Sequence, residues 1–341
     1  MTMPFRFIHL LGLLLVGTLS AAAPLGGWIT YWALDSGLQS VRSSGGEVED
    51  VFLFALQWDA AGNPVSARPD LDRAWGKAVT ELRSLKGRVW LTVVNDRPDG
   101  EGRMVLKDAG LMHEVLADRA RRRKHIGDLV SQCQRIGADG LDVDYENLDP
   151  IDREAFSGFI EELARALHRK RLALSVTVQP KIRESRSKGP GAADWAALGK
   201  AADRLQIMLY NLHNTRTEPG PVCTSSWIGQ VLAFAATQCD RGRIVPVLKV
   251  SGFEWGPRPR EVTFGDVAPQ FSGSDPMRHP DGQAPYVVFD VEGKRHTAFV
   301  EDATSLRDKV ASLRRQGFSR VVLWSLGAED PGFWRMGHIS K

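Results

Sequence analysis

Short runs rich in β-branched and aromatic residues alternate with helical patterns along nearly all of this 341-residue chain. WITYWA (28–33), VFLFAL (51–56), RVWLTVV (88–94), GLDVDY (140–145), LALSVTV (172–178), RLQIMLY (204–210), RIVPVLKV (243–250) and RVVLW (320–324) make eight candidate strands. The clearest helix between them carries Phe156, Phe159, Ile160, Leu163 and Leu167 at 3.6-residue spacing, with Asp149 placed to cap it and Pro150 at its first position. Strands separated by helices imply parallel crossovers, and eight such units close naturally into an α/β (β/α)8 TIM barrel. A doubly wound open sheet is the second arrangement, and the lack of GxGxxG after the first strand weakens its dinucleotide-binding form. The connection after the seventh strand, about 256–304, is too long for a simple loop. Within it YVVFDVEGKRHTAFV (286–300) reads as a hairpin turning at Glu292 and Gly293, so a small α+β insertion is expected between strand 7 and helix 8.

One of these strands raises a physical problem. GADGLDVDYENL (137–148) packs Asp139, Asp142, Asp144 and Glu146 between apolar residues. Alternate side chains of a strand share a face, so Asp142, Asp144 and Glu146 point one way and Leu141, Val143 and Tyr145 the other. In a parallel barrel the outward face packs on helices, which turns the three carboxylates inward. Successive members lie roughly 6.5 to 7 Å apart along the backbone. Burying several unpaired carboxylates is expensive, so at least one should hold a proton at neutral pH. Glu146 stands last, at the carboxyl end where barrel active sites sit, and is expected to be held protonated as a general acid. A calcium loop is disfavoured by the interleaved Leu141 and Val143. A carboxylate metal site lacks an accompanying histidine cluster, and a purely structural polar network is the remaining alternative.

Composition narrows the class further. With 43% hydrophobic and 25% charged residues the chain is ordinary globular material, and 44 basic against 41 acidic residues give no reason to expect a nucleic-acid partner. RARRRKH (119–125) is the only charge run and reads as a solvated helix face, with a polyanion contact as the minor alternative. Arg6, an apolar run over 7–19 and the small residues Ser20 to Ala23 have the layout of a secretory signal peptide, with cleavage preferred after Ala22 and an uncleaved anchor as the alternative. Residues 1–22 are therefore expected to be a leader and 23–341 the catalytic barrel. Cys133, Cys223 and Cys239 have no metal-ligand spacing. Cys223 and Cys239 flank a helical pattern and could bridge its ends; three free buried thiols are the alternative.

DGLDVDYE (139–146) resembles the DGxDxDxE signature of family-18 glycoside hydrolases, which include chitinases and peptidoglycan N-acetylglucosaminidases, and matches all five specified positions. IMLYN (207–211) is similar to the family's MxYD strand end, and VLWSLGAEDPGFW (322–334) to its last strand. EPGPVCTSSWIGQVLAFA (218–235) and LALSVTVQPK (172–181) look like the bacterial spore-cortex and cell-wall branch. The resemblance covers nearly the whole mature chain.

It implies an exported glycosidase in which the substrate's own 2-acetamido oxygen attacks the anomeric carbon. Glu146 would protonate the leaving oxygen, and Asp144 would orient the acetamido N–H. Asp142 would share a proton with Asp144, and Tyr210 would donate to the acetamido oxygen. Trp324 would floor the sugar site, with Asn211, Asp139 and Gln179 as further substrate-binding candidates. Trp28, Trp32, Trp58 and Trp255 near strand ends are possible extra stacking surfaces. The implied partner is a polysaccharide or oligosaccharide containing N-acetylhexosamine, with no cofactor, metal, nucleic acid or obligatory protein partner, acting as a monomer in the periplasm or outside the cell. Three positions depart from the pattern: Asn211 replaces an aspartate, Lys249 a proline and Ser251 a tyrosine. They argue against chitin itself more than against glycoside cleavage. A carbohydrate-binding protein on the same barrel is the alternative, and the presence of Glu146 favours the enzyme.

Overall fold

The computed structural model describes residues 24–271 and 275–335; the expected leader lies outside them. Eight parallel strands form the barrel wall: β1 Leu25–Thr30, β2 Val48–Trp58, β3 Arg88–Val94, β4 Gly140–Asp144, β5 Ala173–Val178, β6 Arg204–Met208, β7 Ile244–Lys249 and β8 Val321–Trp324. Each pairs with the next, and β8 returns to β1 with Leu25 opposite Val321, which closes the sheet. The open-sheet alternative is thereby excluded.

One principal helix crosses over between each successive pair of strands on the outside: α1 Leu34–Ser43, α2 Leu71–Ser84, α3 Arg119–Ile136, α4 Arg153–His168, α5 Trp195–Ala201, α6 Ser225–Gln238 and α7 Ala303–Arg315. α4 buries Phe156, Phe159, Ile160, Leu163 and Leu167 as its spacing requires. Asp149 caps the short 3-10 turn Pro150–Asp152 that leads into it. α3 begins at Asp118, whose carboxylate accepts from the amides of Ala120 and Arg121. It ends at Gly137, whose φ of 77° is the left-handed geometry that glycine adopts without strain. The basic run on α3 is not uniformly solvated. His125 is buried, its ring stacks 4.0 Å from that of Trp58, and burial pushes its pKa down to about 3.

The insertion begins at Gly252, earlier than the sequence suggested, and is a five-stranded antiparallel sheet rather than a lone hairpin. Its hairpin turns at Glu292 and Gly293, both at positive φ. The helix it precedes is α7, the crossover from β7 to β8, so it belongs to the seventh unit and not to an eighth helix. Val262, Val267, Ala298 and Val300 give it a small core of its own.

The barrel interior is polar along one column. At its base Asp50 accepts from Trp90 Nε1 at 2.8 Å and pairs with Arg204 at 3.1 Å. The upper end is framed by connections leaving the strands. After β3 a small ribbon, Arg97–Pro98 against Met104–Val105, leads the chain back over the barrel mouth.

Candidate active site

β4 carries the acidic column upward from the centre of the barrel. Asp142 is fully buried and accepts hydrogen bonds from Thr177 Oγ1 at 2.9 Å, Gln206 Nε2 at 3.0 Å and Thr92 Oγ1 at 3.3 Å. Loss of solvent pushes its pKa up to about 6 against the pull of those donors. Asp144 stands above it, where burial raises the pKa to about 7; Lys107 pulls it down, while Asp142 and Asp96 push it further up. The two carboxyls thus titrate as a pair that holds protons near neutrality. Leu141, Val143 and Tyr145 face the helices: Tyr145 stacks on Phe159 of α4, and its hydroxyl lies 2.7 Å from Nε2 of His125 on α3.

Glu146 lies just beyond the end of β4. Its amide donates to Asn95 Oδ1 at 3.0 Å and its carbonyl accepts from Asn95 Nδ2 at 2.9 Å, a two-point clamp from the end of β3. Its carboxylate takes a hydrogen bond from Gln179 Nε2 at 3.1 Å and an ion pair from Lys107. Gln179 therefore contacts the acid itself. The carboxyls that burial raises are Asp142 and Asp144, while Glu146 sits against the Lys107 ammonium.

These groups open onto a cavity of about 380 Å³ lined by Asp144, Glu146, Tyr210, Asn211, Lys249 and Trp324, among others. Tyr210, past the end of β6, is buried, and desolvation raises its pKa well above 10, which keeps the phenol a proton donor. Trp324, the last residue of β8, meets Phe54 edge-on at 5.0 Å and Trp28 at 5.6 Å. Asn211 takes φ of 66°, a conformation asparagine tolerates better than most residues. Lys249 is buried and pairs with Glu261 of the insertion at 2.8 Å, and Ser251 Oγ donates to the same carboxylate at 2.6 Å. The two departures from the family pattern thus tie the insertion to the barrel. Asp144 Oδ1 is buried and has no hydrogen-bond partner. Among the described residues no three His, Cys, Asp or Glu side chains gather in a way that could hold a metal ion.

A sequence profile described as "Glycosyl hydrolases family 18" matches residues 108–329, more than half of the chain. The protein belongs to glycosyl hydrolase family 18. Among curated relatives, the "Uncharacterized glycosylase YvbX" of Bacillus subtilis is 22% identical over 67% of this chain and 69% of its own length. A "Cortical fragment-lytic enzyme" of the same species is 25% identical over 83% of this chain and 66% of its own. The corresponding Bacillus anthracis enzyme is covered over only 55% of its length. Among solved structures, a chitinase from Chromobacterium violaceum superposes with a TM-score of 0.79 at 26% identity, covering 92% of this chain and 97% of the other. The Bacillus cereus spore cortex-lytic enzyme SleL gives 0.80 at 21% over 92% and 73%, a likeness of fold.

Within this family-18 barrel several sequence expectations change. Asp139 does not reach the cavity: it precedes β4 at the opposite end of the barrel, where it pairs with Arg83 at 2.6 Å and accepts from the Val89 amide at 2.7 Å. It cannot touch a sugar bound at the carboxyl ends. Cys223 and Cys239 are free, as is Cys133. The 14-residue α6 between the first two spans about 21 Å, far beyond disulfide reach. Of the four extra tryptophans, Trp28 and Trp58 are core residues and the Trp255 indole donates to Thr217 O at 2.9 Å; only Trp32, 59% exposed, lines the cavity. The sequence reading missed Asn95, Asp96 and Lys107, which reach the site from the segment after β3. VVNDRP (93–98), a strand end running into polar residues, was the one local signal.

Proposed function

We propose that the protein hydrolyses β-linked N-acetylhexosamine glycans by substrate assistance, cell-wall glycan ahead of chitin. The observation that carries the reading is the buried, unpartnered Asp144 Oδ1 beside Glu146 and Tyr210 at the cavity. A buried acceptor left empty costs on the order of 1–3 kcal/mol, which a substrate amide would recover on binding. The acetamido N–H donates to Asp144, and Tyr210 donates to the acetamido oxygen. That oxygen attacks the anomeric carbon as the glycosidic C–O bond breaks, and Glu146 transfers its proton to the leaving oxygen. The positive oxazolinium so formed is stabilised by Asp144, with Asp142 beneath it adjusting the shared proton. Water then adds to the same face, giving its proton to Glu146 as the oxazolinium C–O bond opens, so configuration is retained. Trp324 offers an apolar floor to the sugar.

Cell-wall glycan is favoured because curated relatives carry cortical fragment-lytic names and because Asn211, Lys249 and Ser251 depart from the chitinase-like pattern. No helix among the described residues is long and apolar enough to cross a membrane. Export rests on the leader pattern over 1–22, which also leaves an uncleaved anchor open; we take the enzyme to act as a monomer. The test is mass spectrometry of products after incubation with peptidoglycan glycan strands, chitin oligosaccharides and poly-N-acetylglucosamine. Wild type should release N-acetylhexosamine-ended fragments from at least one, and Glu146→Gln should lose about two to four orders of magnitude in turnover while still binding glycan. Undiminished turnover in that variant contradicts the assignment. Binding without cleavage by wild type favours a carbohydrate-binding protein instead.

A further inference from the structure

The chemistry just described has no use for Lys107, yet its ammonium sits on the group that must supply the proton. Its backbone is tied to the end of β3 at two points. The Lys107 amide donates to Asp96 Oδ1 at 2.7 Å, and the next amide, of Asp108, donates to Asn95 O at 2.8 Å. Asp108 in turn pairs with Arg97 at 2.5 Å and caps the helix Ala109–Ala117. Only the side-chain torsions are free, and the Lys107 side chain is 38% exposed, so it can swing toward the cavity or solvent.

Contact with an ammonium favours the ionised carboxylate. The proposed first step needs the protonated one. Other charged or titratable groups around the acid do not relieve the conflict: Asp144 and Asp96 feel the same ammonium but burial pushes both toward the protonated form, Tyr210 is a neutral phenol, Gln179 is neutral, and Lys249 is already paired with Glu261. Among the described residues Glu146 is the only ion-pair partner of Lys107. The site as folded is therefore paired against its own first step until something takes the ammonium.

The leaving sugar can do this. When its C4 oxygen is the atom to be protonated, the flanking ring carbons are C3 and C5. A lactyl ether hangs its carboxylate from O3, and a uronate carries its own on C5. Either lies next to the oxygen that Glu146 must reach, and so next to Lys107. Resting on the glycosidase reading above, we propose that Lys107 selects glycans whose leaving sugar carries a free carboxylate flanking the scissile oxygen, that carboxylate taking the ammonium so that Glu146 can accept a proton from solvent. A neutral glycan must break the ion pair without replacing it. A lactyl group in amide linkage to a peptide carries no such charge, so the reaction that supplies this substrate is hydrolysis of that amide.

The test compares kcat/KM of wild type, Lys107→Met and Lys107→Arg on four glycans: strands stripped of peptide, the same strands with carboxyls reduced to alcohols, strands with peptides attached, and a polymer in which N-acetylglucosamine is β1,4-linked to glucuronate. Wild type should prefer stripped over reduced strands by about tenfold, a factor expected of one charge-assisted contact. Lys107→Met should bring that ratio near one by gaining on reduced strands, and the alkaline limb of its kcat/KM profile there should move up by about one pH unit. Lys107→Arg should keep the preference. Equal wild-type rates on stripped and reduced strands overturn the inference, as does a parallel loss on both in a Lys107→Met protein whose unfolding midpoint is unchanged. Cleavage of the glucuronate polymer assigns the preference to any flanking carboxylate, and its absence assigns it to the O3 side. Failure of wild type to cut any of the four, or chitin oligosaccharides, overturns the glycosidase reading as well, which separates the two failures.

Discussion

Asp144→Asn should make the protein more stable at pH 8 while removing most of its activity. Burial raises the Asp144 carboxyl from an ordinary 3.8 to about 7. The folded protein therefore keeps this proton at pH values where the unfolded chain has lost it. The sign follows by linkage: stability falls as pH rises from about 4, and the loss is complete above about 7. A rise of about three pH units at 1.36 kcal/mol each sets the full cost of the charge at about 4 kcal/mol. Asparagine matches the size of the protonated carboxyl and never ionises, so it escapes that cost. Asp142, raised to about 6 for the same reason, shares the burden, and one replacement recovers less than the sum. The assay is denaturant unfolding of wild type and variant at pH 4.5 and pH 8. The two proteins should be within about 0.5 kcal/mol at the lower pH, and the variant ahead by about 1–4 kcal/mol at the higher one. A variant equal to or weaker than wild type at pH 8 refutes the claim that Asp144 is held in the fold at the expense of stability.

Two further substitutions probe the frame around that column. Tyr210→Phe, which keeps the ring and removes the phenolic donor, should lower kcat about ten- to hundredfold with little change in unfolding midpoint; an unchanged kcat would remove Tyr210 from the mechanism. Gly189 has φ of 76°, and a side chain there would collide with the Gln179 amide. Gly189→Ala should therefore destabilise by about 1–2 kcal/mol and lower activity by displacing the Gln179 hydrogen bond to Glu146; wild-type behaviour in calorimetry and turnover would contradict that coupling.

The barrel was legible because runs of period two recur eight times with helical patterns of period 3.6 between them, and no sheet register is needed to count them. The inward acids were legible for the same reason, since strand alternation assigns faces. What alternation does not give is height along the strand. Asp139 belongs to the same motif as Glu146, yet it precedes β4, where the Arg83 pair holds it at the far end of the barrel. Lys107 was invisible for a different reason. It lies 39 positions before Glu146, in a ribbon and turn with no periodicity, and only the closure of β3 against β4 brings the two together. The Cys223 and Cys239 pairing failed on rise per residue, a length that a motif reading does not measure. Lys249 could be placed at a strand end but not given its partner, because Glu261 comes from an insertion sheet whose pairing the sequence showed only at the hairpin.

The central claim is that the 2-acetamido group of the substrate, held by Asp144 and Tyr210, performs the displacement that Glu146 assists. Proton NMR of the newly released anomeric centre during the first minutes of digestion tests it directly. The account predicts that the β-anomer appears first and mutarotates afterwards. Initial release of the α-anomer would show direct attack by water and contradict it.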